Sequence, residues 1–240
     1  MRNLSDPSQF WIYLAEQPLF FLVLTVLAYL AGDRISQATR RHPVANPVLI
    51  AVLIVGTVLI ATGTPHVRYF EGARFVHVLL GPATVALALP IIRHRALIRR
   101  QWRAILGAMV IGAGMGVISA AGLAKALGLS AGTVASIAPK SVTAAIAMGI
   151  SEQLGGTPPL TAVLVIATGI LGAILITPLM NLIRVRDYAA RGFAAGLAAH
   201  GIGTARALQV NEKAGAHAAL AMGLNGLVTA LLAPLLLMLL

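Results

Sequence analysis

Long apolar stretches recur along the chain, separated by short polar breaks. They occupy residues 18–30, 47–62, 76–92, 104–127, 131–150, 160–183 and 214–240. A run of about 20 apolar residues is long enough to cross a bilayer as an α-helix. The pattern therefore predicts an all-α polytopic membrane protein with six to eight membrane segments. These segments use most of the chain, so that residues 1–240 are expected to form a single integral membrane domain.

Composition supports membrane residence. Hydrophobic residues make up 58% of the chain and charged residues only 10%, whereas a soluble domain carries roughly a quarter charged residues. The chain also contains no cysteine, which excludes disulfides, thiolate catalysis and cysteine-based metal sites. It lacks the common nucleophile-elbow, zinc-protease and phosphate-loop motifs. We therefore expect neither an enzyme nor a bound cofactor or metal.

The net charge of +11 comes from arginine-rich segments between the apolar stretches. Three clusters stand out: Arg34, Arg40 and Arg41; Arg93, Arg95, Arg99, Arg100 and Arg103; and Arg184, Arg186 and Arg191. Such clusters mark cytoplasmic loops of membrane proteins. They predict a multi-pass protein of the cell's inner (cytoplasmic) membrane with its N-terminus outside. Phe10, Trp11 and Tyr13 are expected to anchor that terminus at the interface, and nucleic acid is not expected as a partner.

Two parts of the sequence resemble each other weakly. Residues 51–55 parallel 162–166, and residues 81–84 parallel 201–204. The basic loops flank the two parts in opposite senses, as they would in an inverted repeat. Inverted repeats are common in secondary transporters, where the substrate site lies at the repeat interface near the middle of the bilayer. We therefore predict repeats near 47–128 and 159–240.

Three places along the chain carry a helix-breaking motif. Pro139 has no backbone N–H and is followed directly by Lys140, so that a helix cannot run smoothly through this point. A new helix is expected to begin at Pro139 or Lys140. Gly81–Pro82 and Gly201–Ile202–Gly203 are the two other candidate breaks. Irregular backbone at this depth requires contact with protein or with a water-filled cavity.

The acidic residues lie at the edges of the apolar stretches or between them. They are Asp6, Glu16, Asp33, Glu71, Glu152, Asp187 and Glu212. Cation transport usually relies on carboxylates within the membrane, so their absence there argues against a cation as the substrate. The deep charged or titratable groups are instead Lys140, His200 and Arg206. A buried cation requires a partner, and a bound anion would supply one for Lys140.

The backbone breaks also favour an anion. A helix that begins inside the membrane presents unpaired N–H groups and the positive end of its dipole, and such ends bind anions. Hydroxyl groups beside the breaks can bind a carboxylate or hydroxyl of a substrate. The candidate substrate-binding residues are Gly81, Pro82, Thr84, Pro139, Lys140, Ser141, Thr143, His200, Gly201, Gly203, Thr204, Arg206 and Asn225.

Structural roles are the alternatives for several of these residues. Lys140 can extend to an interface, His200 can bind a backbone carbonyl, and Arg206 can face water at a helix end. Asn225 can hold helices together or line the cavity. For Gly112, Gly114 and Gly116 we expect close helix packing, as is usual for small residues in membranes.

Three blocks and a C-terminal motif resemble the LrgB/CidB family. The blocks are residues 81–90, 139–143 and 200–207, and the C-terminal motif includes Gly215, Ala221–Met222 and residues 224–226. The resemblance covers nearly the whole chain. It implies one of two functions: antiholin-like or holin-like control of murein hydrolases and cell lysis, or transport of small carboxylates such as glycolate, glycerate and pyruvate. The family often has Thr-Pro after the block at 139–143, where this chain has Ala144–Ala145.

Together the residues and the resemblance predict a secondary carrier of small monocarboxylates that works by alternating access, with an elevator movement as one form. Lys140 would bind the carboxylate. A coupling proton would travel on the substrate or on His200. The alternative is an antiholin-like regulator of murein hydrolase activity. Expected partners are a small organic anion, the lipid bilayer, a second copy in a homodimer, and a small LrgA/CidA-type membrane protein.

Overall fold

The computed structural model describes residues 18–239, and twelve helices with no strand make up this part of the chain. The helices, α1 to α12, span Pro18–Ala38, Pro47–Thr62, His66–Val78, Leu80–Ala86, Ala88–Arg93, Arg95–Arg100, Trp102–Ala126, Ala131–Ile137, Ala144–Gln153, Pro158–Leu182, Tyr188–Val210 and Glu212–Leu239. The predicted interfacial anchor at Phe10, Trp11 and Tyr13 lies outside the described residues.

Four helices are long and apolar enough to cross a membrane. They are α1, α7, α10 and α12, and α2 is a shorter apolar helix. No more than 33% of the residues in the most apolar window of each long helix are buried, so that their apolar side chains face outward. A surface of this kind requires lipid rather than water around it. The predicted class, an all-α polytopic membrane protein, is confirmed.

The described chain divides into two compact units, with the boundary between Ala86 and Leu87. In the first unit, α1 packs against α2 and α3. Asn46 caps α2 by accepting hydrogen bonds from the first-turn backbone, and Gly63 ends it in the left-handed conformation at φ 62°. The hydroxyls of Thr25 and Tyr69 lie 3.0 Å apart and link α1 to α3.

The apolar stretch over residues 76–92, which contains the predicted break at Gly81–Pro82, is not one continuous helix. The chain is interrupted there at Leu79 and again at Leu87. Pro82 and Pro90 explain both interruptions, because a proline ring clashes with the carbonyl four residues earlier. Those carbonyls belong to Val78, where α3 ends, and to Ala86, where α4 ends.

The second unit is built around α7 and α12, which run in the same direction. Near their starts, the imidazole of His217 on α12 lies 3.3 Å from the amide of Gln101, just before α7. Towards their ends, Val117 on α7 and Ala233 on α12 share one buried apolar cluster. The two helices therefore provide a common axis for the rest of this unit.

Ion pairs gather several elements at one end of the second unit. Arg93 on α5 binds Glu212 at the start of α12 at 2.9 Å. Lys213 binds Asp187, the capping residue of α11, also at 2.9 Å. We call this region, which carries the two basic segments at 93–103 and 184–191, the basic end. The opposite end, where α12 finishes, is the far end.

Candidate functional site

Helices α8 and α9 form a helical hairpin, which we call the first hairpin. Helix α8 stops at Ile137 and α9 starts only at Ala144, four residues later than the predicted start at Lys140. The chain then returns beside the start of α8, because a methyl group on Gly132 would lie 3.5 Å from the carbonyl oxygen of Gly155. The predicted break at Pro139 is therefore the turning point of a re-entrant segment. We call residues 138–143 the first tip.

Helix α11 is a second hairpin. Its helical geometry fails at Ala199 (φ −127°, ψ 19°) and His200 (φ 39°, ψ −130°), a backbone conformation that non-glycine residues rarely adopt. The two arms lie together, because a methyl group on Gly203 would collide with the carbonyl of Ala195. Ala195 and Ala207 also share a buried cluster. The reversal, which we call the second tip, lies just before the predicted break at 201–203.

The two hairpins approach from opposite ends of α12. The base of the first hairpin lies at the far end, where Ala131 and Leu154 line one cavity with Leu237. The base of the second hairpin lies at the basic end, where Tyr188 and Val210 line another cavity with Ala214. The structure thus contains a pair of opposed elements, at 131–153 and 188–210. The longer repeat proposed for 47–128 and 159–240 stays a prediction.

The two tips meet beside Asn225, which lies at the middle of α12. The side-chain amide of Asn225 donates to the carbonyl of Ser141 at 3.2 Å and to the carbonyl of Leu197 at 2.9 Å. Ser141 belongs to the first tip, and Leu197 lies two residues before the second. Two breaks that are far apart in sequence therefore converge on one side chain.

Two glycines on α7 lie beside the tips. A methyl group on Gly112 would collide with the side chain of Leu197, and one on Gly116 would lie 3.6 Å from the Ser141 hydroxyl. The contact of Gly112 fits the expected packing role, whereas a methyl group on Gly116 would make only an ordinary van der Waals contact, and the packing role of Gly116 stays a prediction. A methyl group on Gly114 would meet nothing within 4 Å, so that packing does not explain this third glycine.

Lys140 is the cation of the first tip. Its side chain is half-buried, and its ammonium lies 3.5 Å from the hydroxyl of Ser141. Among the residues that the structure describes, Lys140 makes no ion pair with an acidic side chain. A cation in this position lacks a fixed counter-charge, as the sequence predicted.

The start of α9 adds a second positive feature to the first tip. Thr143 is the capping residue but makes no side-chain capping bond. The first hydrogen bond of the helix runs from the N–H of Ala147 to the carbonyl of Thr143, so that the N–H groups of residues 144–146 have no helical acceptor. This chain has Ala145 where the resemblance to the LrgB/CidB family leads us to expect proline, yet a helix still begins here. Pro139 itself is buried at the turn.

His200 and Thr204 use their side chains within the protein. His200 is buried and donates from Nε2 to the carbonyl of Val165 on α10 at 2.9 Å. Thr204 donates to the carbonyl of His200 at 2.8 Å. These contacts match the structural alternative for His200, in which the ring binds a backbone carbonyl. A substrate contact by either residue stays a prediction.

The other predicted site residues lie in different places. Arg206 faces a cavity of about 210 Å³ at the base of the second hairpin, together with Tyr188 and Arg191, rather than the tips. Gly201 lies close to the tip, and a methyl group there would be 3.9 Å from the sulfur of Met222. Gly81, Pro82 and Thr84 lie on α4 in the first unit. Their contribution to the site stays a prediction.

A larger cavity lies between α7 and the first arm of α11. Its volume is about 430 Å³, and mostly apolar side chains line it, with Gln101, Asp187 and His217 among them. Leu197 also lines this cavity, so that it extends from the basic end to the neighbourhood of the second tip. Among the described residues, no group of acidic and histidine side chains is suited to hold a metal ion.

Sequence reasoning missed Leu197. It contributes its backbone carbonyl to Asn225 and its side chain to the cavity and to the contact with Gly112. Because every residue has a carbonyl, nothing in the residue type could have identified it. The predicted break at Gly201–Gly203, which begins four residues later, was the available signal.

Comparison with known proteins gives a consistent assignment. The model of the LrgB-like family matches residues 25–239. The chain is 34% identical to the uncharacterized protein YwbG of Bacillus subtilis over 90% of its own length and 96% of that protein. It is 30% and 31% identical to proteins named holin-like protein CidB from Staphylococcus epidermidis and Staphylococcus aureus, over 93% of its length and 97% of theirs. No solved structure matches the chain. Since the family model and these relatives cover most of the sequence, the chain belongs to the LrgB-like family.

Proposed function

We propose that this protein is a secondary carrier of small monocarboxylate anions such as glycolate, glycerate or pyruvate. The observation that carries the proposal is the position of Lys140, on the tip of a re-entrant hairpin and beside the uncapped start of α9. An ammonium and free backbone N–H groups attract a carboxylate. The neighbouring hydroxyls of Ser141 and Thr143 can bind a hydroxyl or carbonyl of the substrate.

Two opposed hairpins suit alternating access. Their bases lie at opposite ends of α12 and their tips meet near its middle, so that a site at the tips is separated from either side by one hairpin. Broken helices that meet at the bilayer midplane are a common substrate site in secondary transporters. Movement of the tips relative to the surrounding helices, of the elevator or another type, would expose the site to each side in turn.

The basic end gives the proposed orientation. Both basic segments of the second unit gather there, and arginine-rich segments stay in the cytoplasm. The second hairpin would then enter from the cytoplasm and the first from outside, in the inner membrane. We also propose that the protein forms a homodimer. The mass of the protein in nanodiscs tests whether one or two copies are present.

Uptake of labelled glycolate or pyruvate into proteoliposomes tests the carrier function. Wild-type protein is expected to accumulate solute, and Lys140→Ala is expected to lose uptake. Lys125→Ala is the matched control, because this lysine lies in the last turn of α7 and not at a tip. Equal uptake by wild type and Lys140→Ala would rule out the role given to Lys140.

A regulator of cell lysis is the second candidate, favoured by relatives that carry the name holin-like protein CidB. In this case the protein would control murein hydrolases through oligomers or through a small LrgA/CidA-type membrane partner. Absence of uptake in proteoliposomes, both with and without such a partner, would favour it. If deletion of the gene altered autolysis while the purified protein showed normal uptake, the effect on lysis would instead be a consequence of transport.

A further inference from the structure

Asn225 has no amide hydrogen left for a substrate. It is 1% exposed, and its nitrogen donates to two carbonyl oxygens, those of Leu197 at 2.9 Å and Ser141 at 3.2 Å. A primary amide has two N–H donors. Both are therefore used by the backbone of the two tips, so that a role in joining these segments explains the contacts better than direct recognition of an anion.

The amide is held in this orientation from its other side. The hydroxyl of Thr229, one turn further along α12, donates to Oδ1 of Asn225 at 3.0 Å. A hydroxyl can donate to the oxygen of the amide but not to its NH₂ group. Thr229 thereby directs the NH₂ group towards the two tips.

The carbonyl of Ser141 needs such a donor. Ser141 lies between α8 and α9, so that its carbonyl belongs to no helical hydrogen-bond series. Val142, the next residue, is buried. A backbone carbonyl in a membrane interior without a donor is strongly unfavourable, and Asn225 supplies that donor.

We infer that Asn225 is a positioning residue that fastens the first tip to the second, so that the anion site on the first tip keeps its position against the second tip while access to it changes. The consequence for transport rests on the proposed function. The connection between the tips rests only on the contacts of Asn225. A leucine has the same branched arrangement of four side-chain heavy atoms as asparagine but no donor, and Asn225→Leu would therefore release both carbonyls.

Distance measurements between the tips test this inference directly. The chain contains no cysteine, so that spin labels can be attached at Ala145 and Ala198, two exposed residues next to the tips, in full-length protein in nanodiscs. With Asn225 present we expect one narrow distance distribution. Asn225→Leu is expected to broaden it, and Thr229→Val to broaden it less. An unchanged distribution in Asn225→Leu would overturn the inference.

Transport kinetics provide a second readout. A first tip that has lost its position binds substrate more weakly, and a tenfold weaker binding corresponds to about 1.4 kcal/mol. We expect Asn225→Leu to raise the pyruvate concentration for half-maximal uptake about tenfold. Asn181→Leu is the matched control, since Asn181 binds Arg191 near the end of α10. It is expected to leave both the tip distance and half-saturation unchanged.

The outcomes separate a positioning role from a general loss of stability. Asn225→Leu would act only on stability if its melting temperature fell while tip distance and half-saturation stayed at wild-type values, and this result would overturn the inference. If wild-type protein transported no carboxylate, the carrier proposal would fail. The distance measurement would still decide whether Asn225 joins the tips.

Discussion

The Nε2 atom of His200 lies 2.9 Å from the carbonyl oxygen of Val165, and this hydrogen bond attaches the second tip to α10. His200→Leu is expected to lower stability, because a buried carbonyl without its donor costs about 1–3 kcal/mol. His200→Gln retains an N–H donor and is therefore expected to lose less stability than His200→Leu. Thermal unfolding of both variants in nanodiscs is the measurement. Equal melting temperatures for the two variants would show that the hydrogen bond contributes nothing measurable.

Two glycines of α11 test the packing of this helix against α12. A methyl group on Gly192 would collide with the carbonyl of Ala214, and one on Gly196 with the carbonyl of Ala218. Backbone cannot move aside as a flexible side chain can. Gly192→Ala and Gly196→Ala are therefore expected to destabilise the protein by at least about 1–3 kcal/mol, the usual cost of overpacking.

Matched controls come from α7. Methyl groups on Gly107 and Gly114 would meet nothing within 4 Å. Gly107→Ala and Gly114→Ala should therefore leave the melting temperature unchanged or raise it, because alanine favours a helix more than glycine does. A fall in these controls as large as that in Gly192→Ala would mean that the substitution itself, rather than the contact with α12, causes the loss.

The ion pair at the basic end predicts a small dependence of stability on pH. The hydrogen bond from Lys213, assisted by the backbone N–H of Ala190, holds the pKa of Asp187 below its usual value. A lowered pKa stabilises the fold above the ordinary aspartate value, and this contribution disappears as the pH falls through the folded-state pKa. The Asp187 side chain is 55% exposed, so that we expect less than about 1 kcal/mol.

Asp187→Asn isolates the charge, since asparagine can still cap α11. The difference in melting temperature between wild type and Asp187→Asn should be present at pH 7, shrink below the ordinary aspartate pKa of about 3.9 and vanish once the pH is below the lowered folded-state pKa. Asp187→Ala removes the cap as well and should be less stable than Asp187→Asn at both pH values. A difference that persists at low pH would contradict an electrostatic origin.

Membrane residence and the break at Pro139 could be predicted because each depends on local chemistry. Apolar runs of sufficient length require lipid, and proline excludes a continuous helix. The same rule explains why the span over residues 76–92 is interrupted, since Pro82 and Pro90 lie four residues after Val78 and Ala86. The motif at Gly81–Pro82 predicted an interruption in this stretch, whereas the second interruption, at Leu87, was not predicted.

The direction of the chain after each break could not be predicted. The reversal at the second tip occurs at His200, with φ 39°, although Gly201 and Gly203 are the neighbours that adopt unusual backbone more readily. Whether a broken helix continues or returns depends on packing against other helices. Contacts such as that between Gly203 and Ala195 follow from the reversal and are visible only in three dimensions.

The opposed entry of the two hairpins predicts that their bases react with reagents from opposite sides of the membrane. Ala131 begins the first hairpin at the far end, and Ala190 lies near the start of the second at the basic end; both are exposed. In the cysteine-free chain, Ala131→Cys should react with an impermeant maleimide in right-side-out vesicles. Ala190→Cys should react only in inverted vesicles, because the arginine-rich end faces the cytoplasm.

Ala121→Cys is the control for this labelling, because Ala121 on α7 is 0% exposed and should react from neither side. Reaction of Ala131→Cys and Ala190→Cys from the same side would contradict opposed entry. It would also remove the physical basis for alternating access, since both hairpins would then separate the tips from a single compartment. Reaction from opposite sides would leave Asn225 and the joined tips between the two compartments, where a carrier requires its substrate site.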